Sequence, residues 1–216
     1  YQLMYPADHP YHNAVIGTHE DLENAPVQDV QDFFATFYAP ENCSLVVAGD
    51  FKSAEIKPLV DQYFGSLPRG NSPPIRPAPV VKLDGIIRVT SYDKVQLPKL
   101  ALSYHSPAQY KDGDAECDLL GSILGSGQSS RLYQRLVLKD QTAVEVSAYQ
   151  NTGMLGSLFQ IDVLAKPDAD LSAVERAVDE ELAAILKSGP SEDEVRRFAT
   201  QIEVRKISGL QAVQFR

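Results

Sequence analysis

The chain has 216 residues, 44% of them apolar and 23% charged, which is enough to bury a sizeable core as one large domain or two small ones. A formal net charge of -9 and a pI near 4.9 argue against nonspecific nucleic-acid binding and against docking on an anionic membrane. No apolar run approaches the roughly 20 residues that span a bilayer, and no basic-then-apolar start marks a signal peptide.

The elements follow in chain order. Residues 1–22, with Pro6, Pro10 and Gly17, read as loop. Val27, Val30, Phe33, Phe34 and Phe37 then recur at helical spacing, with Pro26 placed for a first helical turn. "CSLVVAGD", residues 43–50, predicts a short buried strand. Ser53 is suited to cap a helix carrying Ile56, Leu59, Val60, Tyr63 and Phe64, and Gly65 to end it.

The composition shifts at residues 67–79, "LPRGNSPPIRPAP", which hold five prolines in thirteen residues. Proline fixes its own φ and lacks an amide donor, so this predicts an extended linker. Beyond it, "IIRVTSYD" (86–93) and "KLALSYHS" (99–106) predict strands. "GDAECDLLGSILGSG" predicts a helix with Leu119, Leu120, Ile123 and Leu124 inward, continued helically by "SSRLYQRLVLK". "AVEVSAYQ" and "SLFQIDVLAK" predict two antiparallel strands. An amphipathic helix follows through Leu171, Val174, Val178, Leu182 and Ile185, and a capping box, Ser191 to Glu194, opens another.

Residues 80–216 thus run β-β-α-α-β-β-α-α, which predicts an α+β domain with an antiparallel sheet and helices packed on one face. Residues 1–66 supply helix, strand, helix. One strand makes no sheet, so this segment is expected to be the C-terminal part of a preceding domain, and both ends of the chain read as cut from something longer.

Three of the four histidines, His9, His12 and His19, fall within eleven positions, which raises the possibility of a metal centre. Neither H-E-x-x-H nor H-x-x-E-H occurs, and "HEDLE" has Glu23 where the second histidine would stand. Pro10 and Gly17 interrupt the helical geometry that such motifs need. The two readings are a loop-borne metal site and a set of polar loop residues that position the chain. Cys43 and Cys117 form no CxxC pair and read as two free, partly buried thiols.

The glycine-rich stretch "GSILGSGQSS", 121–130, lacks the lysine of a phosphate loop, and no G-x-S-x-G marks a nucleophile. Its readings are exposed backbone that pairs with an extended peptide and a helix–helix hinge. Gly125, Gly127, Ser129, Ser130 and Arg131 are the candidate substrate-binding residues.

Residues 9–51 resemble a stretch of the pitrilysin/insulinase family of zinc metallopeptidases. The matching residues are His9-Pro10-Tyr11, Gly17-Thr18, Glu20-Asp21-Leu22, Tyr38, Pro40, Asn42 and Val47-Ala48-Gly49-Asp50. "GSILGSGQSSRLYQRLV" is similar to the family's glycine-bearing loop followed by S-S-R-L.

The resemblance implies repeated α+β domains joined by a linker, two halves of which enclose a chamber. Unfolded or small peptides add along a sheet edge inside it. It implies zinc held by H-x-x-E-H and a further glutamate, all in residues that would precede Tyr1, so no metal ligand and no catalytic residue is assigned to this chain. It places the "HPYH" stretch after the metal site rather than within it. It also implies an arginine and a tyrosine that clamp the substrate carbonyl. On that pattern Val137 stands at the arginine position and Val144 at the tyrosine position. Arg135 lies two places early and Tyr149 five places late. The expected partner is therefore a homologous subunit or domain supplying that clamp. The parent is expected to be the zinc-bearing peptidase of such a pair or a non-catalytic scaffold homologue. The periplasm is the compartment that the resemblance suggests.

Overall fold

The computed structural model describes residues 1–73, 78–79 and 81–212. The chain divides into two compact units, Tyr1–Pro79 with Lys206–Arg216, and Val80–Arg205.

In the first unit, α1 (His19–Asn24) opens with a complete capping box. Thr18 Oγ1 accepts from the Asp21 amide at 3.1 Å, and Asp21 Oδ2 accepts from the Thr18 amide at 2.8 Å. α2 (Val27–Phe37) follows, with Pro26 one place earlier than expected, at the N-cap. The Tyr38 amide closes it on the Phe34 carbonyl. A single 3-10 turn at Pro40–Asn42 leads towards α3 (Ser53–Phe64), whose N-cap is Lys52 rather than Ser53. Gly65 caps its C-terminus as expected.

The aromatic residues of α2 gather, Phe33 against Phe37 at 4.9 Å and Phe34 against Tyr38 at 4.6 Å between ring centroids. They remain about half exposed, and α1, α2 and α3 contain no buried residue. Among the described residues this unit buries only Tyr5, His9 and Ala39.

The strand expected at 43–50 does not form. The segment is irregular and exposed, with Val46 at 85%. The composition is β-rich, but a strand exists only by bonding to a neighbour, and no strand lies within this unit's described residues.

Part of the proline-rich stretch is held. Glu41 donates its amide to the Arg69 carbonyl at 3.0 Å, and Arg69 Nη2 donates to Glu41 Oε1 at 2.8 Å. Residues 74–77 of the expected linker lie outside the described residues, as do Val80 and residues 213–216 of the expected second domain.

The second unit is an α+β fold around a three-stranded antiparallel sheet of order β1-β3-β2. Its elements are β1 (Lys99–Ser106), α4 (Asp114–Gly125), a π-helical segment (Tyr133–Lys139), β2 (Ala143–Asn151), β3 (Ser157–Ala165), α5 (Leu171–Ser188) and α6 (Glu192–Gly209). The central strand sets the register: Ile161 pairs with Leu102 on one side and Ala148 on the other. Phe159, Ile161, Val163 and Ala165 alternate into the core, as period-2 strand geometry requires. Ile123 and Leu124 of α4, Leu136, Val174 and Val178 of α5, and Phe198 of α6 join them. Each such side chain withdrawn from water contributes about 1.5–3 kcal/mol.

One expectation for this unit needs correction, and another gains detail. Residues 86–93 form no strand, and Ile86, Ile87, Val89 and Tyr92 are exposed. The segment is tied through a side chain instead of a backbone ladder: Arg88 donates to both carboxylate oxygens of Glu175 at 2.8 and 2.7 Å. Residues 133–139 are helical as expected but wound as π. The last turn closes from the Asp140 amide to the Arg135 carbonyl, five residues back, at 2.8 Å.

Candidate functional site

The glycine-rich stretch links the end of α4 to the helical turn leading into the π segment, and each candidate residue there has a defined place. Gly125 ends α4 against β2. A Cβ there would fall 2.1 Å from the Ala148 amide nitrogen and 2.7 Å from the Ser147 carbonyl carbon. Only glycine lets the helix approach the strand so closely. Gly127 lies in the left-handed region at φ +73°, with open space around it.

Ser130 is fully buried and folds the loop back on itself. Its hydroxyl donates to the Gly127 carbonyl at 2.7 Å and its amide to the same oxygen at 3.2 Å. Gln134 Nε2 donates to the Gln128 carbonyl at 2.7 Å. Two carbonyls of the loop are therefore satisfied, one by Ser130 within it and one by Gln134 of the π segment. Gly127, Gln128 and Ser129 are exposed, and their amides find no acceptor among the described residues.

Arg131 anchors the far end. Its Nε and Nη2 donate to the two oxygens of Glu194 at 2.6 and 2.8 Å, a parallel two-bond pair with side chains only 19% and 18% exposed. Glu194 Oε2 also accepts from the Ser191 amide and hydroxyl, both at 2.8 Å, completing the capping box of α6. The Arg131 guanidinium holds the Glu194 carboxyl down to about 2. The capping box was legible in "SEDE". The pairing of Glu194 with Arg131, 63 residues away, has no local signature and was missed.

The positions that resemble a clamp carry no donor. Val137 is partly buried against the core, and Val144 is half exposed at the irregularity between Ala143 and Glu145 in β2. The displaced candidates are engaged elsewhere. Arg135 donates to Asp140 at 2.5 Å and to Glu180 at 2.8 Å, while the Tyr149 hydroxyl donates to Asp162 at 3.1 Å. Cys117 is no activated nucleophile, because burial pushes its thiol up and neighbouring acids add to the effect.

The histidines of the first unit do not converge. His9 stacks on Tyr5 at 4.5 Å, and its Nδ1 accepts from the Tyr11 amide at 3.0 Å. His12 Nδ1 donates to the Tyr5 carbonyl at 2.7 Å, and His19 opens α1. Among the described residues no group of three or more His, Cys, Asp or Glu side chains can hold a metal ion. Among the described residues the donor set does not fit zinc, and His9 and His12 are instead bonded to Tyr11 and Tyr5.

Residues 24–202 match the family described as the peptidase M16 inactive domain. The chain belongs to that family. Its resemblance to the pitrilysin/insulinase zinc metallopeptidases therefore holds across most of the sequence. It is 28% identical over 208 residues to the zinc protease PqqE of Helicobacter pylori, covering 94% of this chain and 47% of that protein. Among solved structures, a protease from Helicobacter pylori is similar with a TM-score of 0.84 at 27% identity, over 96% of this chain and 51% of that one. A peptidase M16 inactive domain from Pseudomonas fluorescens shares the fold with a TM-score of 0.73 at 18% identity, over 94% and 48% of the two chains. The chain spans about half the length of the curated relative it matches. No helix among the described residues is long and apolar enough to cross a membrane.

Proposed function

We propose that this M16 inactive-domain chain is the non-metal part of a longer zinc metalloendopeptidase, where it helps enclose unfolded or small peptides. The observation that carries the reading is the glycine loop of the second unit. Gly127, Gln128 and Ser129 are exposed and their amides find no acceptor among the described residues, which leaves backbone donors for the carbonyls of an extended peptide. Gly125 and Arg131 hold the two ends of that stretch, so it needs little ordering when peptide arrives.

In this reading the chain binds and orients, and takes no part in the bond-breaking step. Zinc and the catalytic base lie in another part of the protein. The valines at 137 and 144 further require that the arginine/tyrosine clamp come from a homologous domain or subunit. The same valines favour a second reading, a non-catalytic homologue that shapes a chamber for a separate zinc-bearing partner.

The test is cleavage of an unstructured peptide by the full-length protein and by residues 1–216 alone. The native coding region is read in parallel for H-x-x-E-H. The expected result is cleavage by the full-length protein, abolished by Glu→Gln within that motif, and none by residues 1–216. Absence of the motif together with an inert full-length protein selects the scaffold reading. Cleavage by residues 1–216 alone contradicts both.

A further inference from the structure

Glu194 sits where two separate structures meet. On one side it completes the capping box of α6 through Ser191. On the other it receives the fork of Arg131, the last residue of the glycine loop. A capping box needs only a carboxylate or amide at this place, and a surface arginine needs no partner. Here one carboxylate serves both, and the side chains are four-fifths withdrawn from solvent. Breaking one side of such a pair leaves the other charge poorly solvated.

The loop's exit is also held locally, by the Gln134 amide on the Ser130 carbonyl at 3.0 Å and by the Gln134 side chain on the Gln128 carbonyl at 2.7 Å. Gly125 fixes where α4 ends, and Ser130 and Gln134 satisfy carbonyls inside the loop. The tether to a separate helix is the bond of Arg131 to Glu194 of α6.

We infer that Glu194 is a positioning residue for the glycine loop, acting through Arg131 to hold the Gly127–Ser129 backbone in one arrangement for peptide. The inference rests on the reading that this loop touches peptide. Lysine carries the charge of Arg131 but cannot make the two parallel bonds, so geometry and charge are separable.

The test uses the full-length protein, with R131K, E194Q, the reversed pair R131E/E194R, and D170A as the control that removes the α5 cap outside the set of Arg131, Glu194 and Ser191. One readout is amide hydrogen exchange at residues 126–131. The other is the Kd for a fluorescent, unstructured 20-residue peptide, measured by anisotropy in the presence of EDTA. R131K and E194Q are expected to speed exchange and weaken binding by about tenfold each. The reversed pair is expected to recover part of both, and D170A to change neither while lowering Tm. Unchanged exchange in R131K and E194Q overturns the positioning role itself. Faster exchange with unchanged Kd shows that the latch exists but the loop does not touch peptide, which overturns the functional reading and the inference with it.

Discussion

The two units were built from equally apolar sequence, yet among the described residues only one has a core. In the second unit Ile161, Val163, Val174, Val178 and Phe198 are buried together around a three-stranded sheet. In the first, Phe33, Phe34 and Phe37 form a well-made helical face that remains about half exposed, and the β-rich 43–50 stretch bonds to no strand. Helices complete their backbone hydrogen bonds alone, whereas strands and cores need partners from elsewhere. The first unit therefore shows what local sequence information achieves by itself, and the second what tertiary pairing adds.

The largest break in that comparison is a matched pair of truncations. Phe198→Ala is expected to cost about 4 kcal/mol in urea denaturation, because it opens a cavity in the second unit. Phe34→Ala in the same 216-residue chain is expected to stay within about 0.5 kcal/mol. If further chain covers the α2 face in the full-length protein, the same Phe34→Ala there costs about 3 kcal/mol. Equal effects of Phe34→Ala in both contexts contradict such a cover.

Gly125→Ala comes next, at about 3 kcal/mol by the same measurement. Its new Cβ collides with β2 backbone rather than with a side chain that can turn away. Gly127→Ala, in open space, meets only the left-handed backbone penalty of about 1 kcal/mol. The contrast separates the packing role of one glycine from the conformational role of the other.

Glu194→Gln sharpens the electrostatic side. The folded carboxyl is held near 2, against an ordinary value of 4.5. A group whose folded value is depressed stabilises the fold above its unfolded value, and that contribution is lost as pH falls from about 4.5 towards 2. The variant is expected to lose that part of the acid-side decline in stability, read from urea midpoints between those values. An unchanged decline shows that the Arg131 pair does not govern it.

The smallest expected effect belongs to the first unit. Thr18→Ala removes the capping box of α1 and costs about 1 kcal/mol of helix stability. Because α1 buries nothing, the loss is expected as local fraying by hydrogen exchange, with the unfolding midpoint of the second unit unmoved. A shift of that midpoint indicates that α1 contributes to the second unit's stability.

What could be read beforehand follows the same division. The face of α2, the alternation of β3, the amphipathic α5 and the Ser191–Glu194 box are local patterns, and the structure reproduces them. The strands at 43–50 and 86–93 have the right composition, but composition does not say whether an edge is available to receive them. The π winding of 133–139 differs from an α-helix by one residue per hydrogen bond, too little to mark the sequence. At the candidate site, the glycines and Arg131 were visible as a motif. Glu194 was visible as a cap alone, because an ion pair spanning 63 residues is created by the fold.

The most direct test of the account is zinc stoichiometry by mass spectrometry, measured side by side on residues 1–216 and on the full-length protein after extensive dialysis. The account predicts no retained zinc in residues 1–216 and about one zinc per chain in the full-length protein. Stoichiometric zinc retained by residues 1–216 contradicts it, since a metal site would then lie within the chain assigned only to enclose the peptide.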